Sequence, residues 1–140
     1  MPTPSQKGAI AETAIAAHAT RLGISVYTPV AEGGRADLVF EIDGRLLRIQ
    51  CKWAVRRGDV VGIYLTTSRR TRAGFHRTTY GAHEIDAVVG YCAELDQCYF
   101  LPIGPVEGHR AFQLRLTPPR NNQRALINWA GEYQLGAIAQ

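Results

Sequence analysis

Residues 33–53 read GGRADLVFEIDGRLLRIQCKW, and this stretch decides the fold. At its centre stands Asp43-Gly44, a pair suited to a two-residue hairpin turn because both positions tolerate positive φ. Arg35 to Ile42 and Arg45 to Trp53 read as the two strands that the turn joins. A two-residue turn fixes the register: Glu41 faces Leu46, Val39 faces Arg48 and Asp37 faces Gln50. Directly opposed residues lie on the same sheet face, with Cβ atoms about 5 Å apart. Along the second strand Arg48, Gln50 and Lys52 point one way, while Leu47, Ile49, Cys51 and Trp53 point the other. Asp37, Gln50 and Lys52 are therefore expected together on one side of one hairpin.

Those three residue types are the parts that metal-assisted phosphodiester hydrolysis requires. The ion needs hard oxygen ligands, and the growing charge on phosphorus needs a cation. Asp37 offers a carboxylate, Gln50 a side-chain oxygen and Cys51 a backbone carbonyl between the amide and the ammonium of Lys52. By spacing alone a structural reading is equally open. In that reading Asp37 and Lys52 form a cross-strand ion pair and Gln50 is an ordinary polar face residue.

Upstream of the hairpin, Ser5 to Leu22 is expected to be helical. Ser5 is a candidate N-cap, the run from Ala9 to Ala17 holds five alanines, and Gly23 stops the helix. Glu12, Ile15, Ala19 and Leu22 share one face by their spacing, which puts an acid on or at the edge of the stripe that packs inward. Ile24 to Val30 is a further strand candidate. Downstream, Val60 to Thr66 reads as a strand and Thr67 to Thr79 as a polar, arginine-rich loop or flap. Ile85 to Tyr91 and Gln97 to Ile103 form a second apolar pair around Glu94-Leu95-Asp96. Ala111 to Leu116 is a last strand, and Asn121 to Trp129 a short terminal element. One helix followed by three strands and further β segments indicates a single α+β or α/β sheet domain.

The chain has 140 residues, 46% hydrophobic and 20% charged, which excludes disorder and suits one domain spanning 1–140. It carries no apolar run near the 18 or so residues that would span a bilayer. No apolar stretch precedes a cleavage site at the N-terminus, so a secretory signal is not expected. Cys51, Cys92 and Cys98 are odd in number and lack paired spacing, and read as reduced thiols of a cytoplasmic protein. Sequence signatures for a P-loop, a Rossmann turn, a nucleophile elbow or a zincin are missing, and His18, His76, His83 and His109 are scattered.

The charge is unevenly placed. Between Arg45 and Arg77 nine basic residues are opposed only by Asp59, whereas the whole chain has a net charge of +4. The remainder is thus acidic overall, and one face is expected to meet a polyanion. Most of these cations are arginines, whose planar fork suits phosphate.

Gly8 to Glu12, Gly33 to Phe40 and Leu47 to Trp53 resemble the PD-(D/E)XK nuclease superfamily, and more narrowly its group I intron-associated homing endonuclease branch, which has Gln before x-Lys. The similarity continues through Glu84 to Tyr91 (EIDAVVGY), Gln97 to Ile103 (QCYFLPI) and Asn121 to Tyr133 (NNQRALINWAGEY). It implies a restriction-endonuclease-like α-β-β-β-α-β core with a mixed central sheet. It assigns the helix acid to Glu12, the metal-binding aspartate to Asp37, the usual acidic position to Gln50 and the catalytic lysine to Lys52. Two departures stand out: Ala36 replaces the proline before the aspartate, and Gln50 brings no charge to the metal.

The resemblance further implies an endonuclease for double-stranded DNA that uses Mg²⁺, with Mn²⁺ able to substitute, and acts as a homo-oligomer. The metal set would be Asp37, Gln50 and the Cys51 carbonyl, with Glu12 orienting water or helping to hold a second ion. Arg56 and Arg57 are expected near the DNA backbone, and Arg69, Arg70, Arg72 and Arg77 on a hairpin reaching into a groove. Arg35 either neutralises phosphate beside the site or pairs with Glu32 or Asp59. Two other functions stay open: a Holliday-junction resolvase, and a catalytically dead nuclease fold that only binds DNA.

Overall fold

The structure is a computed structural model that describes residues 1–71, 74–118 and 127–138, with the backbone alone given for 67–71 and 74–78. Helix α1 (Pro4–Arg21) opens the chain. A capping box starts it: the Gln6 N–H donates to Thr3 Oγ1 at 3.2 Å, and the Thr3 N–H donates to Gln6 Oε1 at 2.8 Å. The N-cap is thus Thr3 and not Ser5, because Pro4 is preorganised for the first helical position and needs no N–H there. Ala11, Ile15 and Ala19 form the buried face. The expected stripe is rotated by part of a turn. Glu12 sits half-buried at its edge and Leu22, at the helix end, is exposed.

Strands β1 (Ser25–Tyr27), β2 (Leu38–Ile42) and β3 (Arg45–Trp53) follow. Asp43 and Gly44 both have positive φ, 52° and 76°, as a two-residue turn of this type requires. The register is the expected one, with Val39 opposite Arg48 and Glu41 opposite Leu46. Four strands come next: β4 (Val55–Arg57), β5 (Val60–Tyr64), β6 (Thr66–Thr71) and β7 (Gly74–Thr79). The stretch expected as a loop or flap is therefore a hairpin, β6–β7, paired from Thr66–Thr79 to Thr71–Gly74. Its polar residues include many threonines, which are favoured in strands whether or not one face is buried. The chain continues through β8 (Ala87–Cys92), β9 (Gln97–Pro102), helix α2 (Ile103–Val106) and β10 (Ala111–Arg115), and ends in a 3-10 turn (Ala130–Glu132) and helix α3 (Leu135–Ile138). Of the expected terminal element, 121–126 lie outside the described residues, and Trp129 makes an isolated bridge to Arg115.

The central sheet has the order β1-β2-β3-β8-β9 and is mixed, with β3 and β8 parallel and the other neighbours antiparallel. A parallel pair needs a crossover, for which a helix is usual. Here β4 to β7 fill that connection. Strands β10-β5-β4 form a second sheet on the face opposite α1. Strand β8 is covered on both sides and all six of its residues are buried, which explains why it reads as a continuous apolar run. Ile15, Phe40 and Ile49 pack under α1, and Val61, Ile63, Val88 and Leu114 lie between the sheets, all fully buried. Each such side chain contributes about 1.5–3 kcal/mol. Gly90 makes the second packing possible: a Cβ there would lie 2.6 Å from Ile63 Cδ1. Among the described residues, no helix is long and apolar enough to cross a membrane.

Candidate active site

The site lies where β2 begins and β3 ends. The Asp37 N–H donates to the Ile49 carbonyl at 2.8 Å, which closes the ladder just before β2. One turn of pairing further, the Cys51 N–H donates to Asp37 Oδ2 at 2.9 Å. Asp37 thereby replaces the missing strand partner of Cys51 with its own carboxylate.

The backbone direction of β3 then places the Cys51 carbonyl. The Asp86 N–H donates to the Arg48 carbonyl at 2.9 Å and the Ala54 N–H to the Tyr91 carbonyl at 2.8 Å. Even-numbered residues of β3 thus direct their backbone groups to β8, and odd-numbered ones to β2. The Cys51 carbonyl accordingly faces the side of Asp37, beyond the last paired residue of β2. Gln50 Nε2 lies 3.5 Å from it. To present its oxygen to a shared ion beside that carbonyl, the Gln50 amide must turn over.

Lys52 Nζ donates to the Thr66 carbonyl at 3.4 Å and lies 5.1 Å from the centroid of the Tyr80 ring. Burial lowers the lysine pKa, with Asp37 opposing that effect and Arg35 adding to it. Burial raises the Asp37 pKa, against the pull of the Cys51 N–H and Lys52. Glu12 is raised as well, by burial first and then by the charges of Asp37 and Glu32. These three acids line one cleft of about 340 Å³, together with Gly33, Gly34 and Ala36. Gly33 has φ +97°, a conformation that other residues resist.

The structure therefore brings Asp37, Gln50, Cys51 and Lys52 to one sheet end and sets Glu12 beside Asp37. The carboxylates, amide and carbonyl are hard oxygen donors, which fit Mg²⁺ or Mn²⁺ better than a soft-ligand metal. Among the described residues no group of three His, Cys, Asp or Glu side chains is arranged to hold a metal ion. The Cys51 thiol is pushed up by burial and stays protonated.

Of the two readings of Arg35, a phosphate contact or an ion pair with Glu32 or Asp59, the structure shows an ion pair, but with Glu84, at 2.9 Å; Arg35 also lies 5.5 Å from the centroid of the Tyr80 ring. Arg56 donates to the Gly58 carbonyl at 2.8 Å and lies 3.7 Å from Glu94, so it braces its own turn, while Arg57 is exposed on β4. Arg48 is held by Asp86, with Nε–Oδ2 at 3.1 Å, and by the carbonyls of Ala82 and His83. Its task is to fasten β3 to the approach of β8. Arg69, Arg70 and Arg77 occupy register positions on the β6–β7 hairpin; Arg72 lies outside the described residues. Glu32 and Tyr80 stand beside the site; the sequence offered Glu32 only as a partner for Arg35, and for Tyr80 it held no signal.

A carboxylate, a backbone carbonyl and a lysine thus lie together where the central hairpin frays. A profile of the PD-(D/E)XK endonuclease family matches residues 3–136. The chain belongs to that family of nucleases. No curated protein sequence matches this one. Among solved structures, a bacterial homing endonuclease, I-Ssp6803I, has a similar fold, with a TM-score of 0.76 and 24% identity over 95% of this chain and 89% of that one.

Proposed function

We propose that the protein is a Mg²⁺-dependent endonuclease that cuts double-stranded DNA at specific sites, of the homing type and working as a homo-oligomer. The observation that carries this reading is the Cys51 N–H bond to Asp37 Oδ2 at 2.9 Å. It sets a carboxylate, a backbone carbonyl and Lys52 at one sheet end, the donor pattern that the family resemblance assigns to catalysis.

Asp37, the Gln50 amide oxygen and the Cys51 carbonyl would hold Mg²⁺ or Mn²⁺, with Glu12 ordering water beside Asp37. A divalent ion there supplies charge stabilisation at the phosphate and a more acidic bound water. Lys52 adds a positive charge to the same place, either to stabilise the transition state or to accept a proton. Arg57 and the arginines of the β6–β7 hairpin supply the phosphate-binding surface. A chain of this size has little surface for a long site, which supports a homo-oligomer, and the homing endonuclease likeness supports site-specific cutting.

The test offers supercoiled plasmid, linear duplex and a four-way junction side by side in Mg²⁺, Mn²⁺ and EDTA. Duplex cleavage in either metal and none in EDTA is expected. Preference for the junction would assign a resolvase. Salt-sensitive binding without cutting in any metal would leave a DNA-binding module. Gln50→Glu probes the neutral ligand. A carboxylate in place of the amide adds charge to the ion, so cleavage is expected to persist with half-maximal Mg²⁺ lowered by roughly 10-fold, a change on the order of the effect of one added charge. Complete loss in a Mg²⁺ titration would show that Gln50 does something other than hold the ion.

A further inference from the structure

The candidate catalytic lysine is held by the two feet of the β6–β7 hairpin. Its Nζ donates to the carbonyl of Thr66, the first residue of β6, and lies 5.1 Å over the ring of Tyr80, which directly follows the last residue of β7. Thr66 and Thr79 are paired, so both contacts come from neighbouring points at the hairpin's base. Tyr80 is 3% exposed and is packed in the core between the two sheets with Leu65, Ile85 and Val88. A ring fixed in this way cannot follow the lysine. The lysine, on a flexible four-carbon stem, is fixed by the ring. Arg35 lies 5.5 Å over the same ring and is anchored at 2.9 Å by Glu84. Two cations thus contact one aromatic ring, whose quadrupole attracts each of them.

We propose that Tyr80 is a positioning residue: its ring and the Thr66 carbonyl form a seat that aims the Lys52 ammonium, and the base of the hairpin is thereby part of the catalytic machinery. This rests on the reading of Lys52 as the catalytic cation. The seat lies between the arm that carries Arg69, Arg70 and Arg77 and the sheet end that carries Asp37, so a shift of the hairpin base carries the ammonium with it.

The experiment compares Tyr80→Leu, Tyr80→Phe and Lys52→Met on one duplex under single-turnover conditions at saturating enzyme, with DNA affinity and melting temperature measured for each. Tyr80→Leu removes the aromatic face, and a misplaced reactive group slows cleavage of the bound complex by about 10–100-fold. DNA affinity should stay within about twofold, since only groups active in the transition state are disturbed. Tyr80→Phe keeps the ring and should restore most of the rate. If Tyr80→Leu cuts as fast as wild type while Lys52→Met is inactive, the seat is wrong and the lysine assignment survives. If Lys52→Met cuts normally, the lysine assignment fails first. Equal slowing in the Leu and Phe variants would assign the role to the hydroxyl and overturn the proposal. A second measurement leaves Tyr80 intact. The chain has only two lysines, Lys7 and Lys52, so Lys7→Arg protein labelled with ¹³C-lysine reports Lys52 alone. Its ε-methylene protons should be shifted upfield by the ring. Shifts equal to those of a solvated lysine would overturn the proposal even if Tyr80→Leu failed to fold.

Discussion

Asp37→Asn is expected to abolish cleavage of duplex DNA in Mg²⁺, by about a thousandfold or more, while DNA binding persists. Asparagine preserves shape, and its oxygen can still accept from the Cys51 N–H that Asp37 Oδ2 now engages at 2.9 Å. What disappears is the strongest charge available to anchor an ion. The same variant should also change stability in a direction that a merely broken protein would not show. Burial raises the Asp37 pKa in the folded state, so the unfolded chain releases that proton at lower pH. The ionised group therefore costs native stability, with the cost growing as pH rises from near 4 through the folded value and fully present above it. In EDTA at neutral pH, Asp37→Asn should melt at or above the wild-type temperature, and the gain should vanish below pH 4. Added Mg²⁺ should raise the wild-type melting temperature and leave the variant unmoved, since only the native site binds the ion. Wild-type cutting rates in the variant, or an equal Mg²⁺ response of both proteins, would remove Asp37 from the site.

Much of this site was legible because it depends on local rules. The Asp43-Gly44 turn determines the register from Leu38 to Ile42, and the period of two places Gln50 and Lys52 on one face; Asp37, expected opposite Gln50, instead lies just before β2 with its N–H on the Ile49 carbonyl and its carboxylate on the Cys51 N–H. Glu12 was legible as an acid beside an apolar stripe, although the stripe itself was misplaced because Ala11, small enough for close helix–sheet contact, was not counted in it. The restriction-endonuclease-like architecture with its mixed sheet was reached through the resemblance, and β3 and β8 are indeed parallel. Long-range partners were not legible. Arg35 meets Glu84 and Arg48 meets Asp86, pairings that depend on how the crossover strands return to the sheet. A polar run such as 67–79 has no apolar alternation to mark it as a hairpin. Tyr80 escaped notice because one tyrosine after a polar stretch has no periodicity, and only the tertiary fold puts its ring beneath Lys52.

Lys52→Met should be the other large loss. Methionine keeps most of the stem and its apolar contacts while deleting the ammonium, and losing one preorganised charge at a developing anion costs on the order of 10²–10³ in rate. Two opposing effects keep the fold intact. Burial lowers the lysine pKa, so the protonated form costs stability below that lowered value, and the cost fades as pH rises toward the unfolded value near 10.4. Removing the ammonium relieves that cost at neutral pH. It also strips Asp37 of the cation that partly offsets its own burial. Melting should consequently change little while cutting is lost, which separates a chemical role from a structural one. Lys52→Arg then distinguishes the two roles open to the lysine. A guanidinium stays charged at every accessible pH, so it can stabilise a phosphorane but cannot accept a proton. Partial activity in Lys52→Arg, with a wild-type rate that falls as pH passes the lowered lysine pKa, assigns electrostatic stabilisation. An inactive Arg variant, with a wild-type rate that climbs up to that pKa, assigns a base. Equal cutting by wild type and Lys52→Met would leave the lysine with neither role.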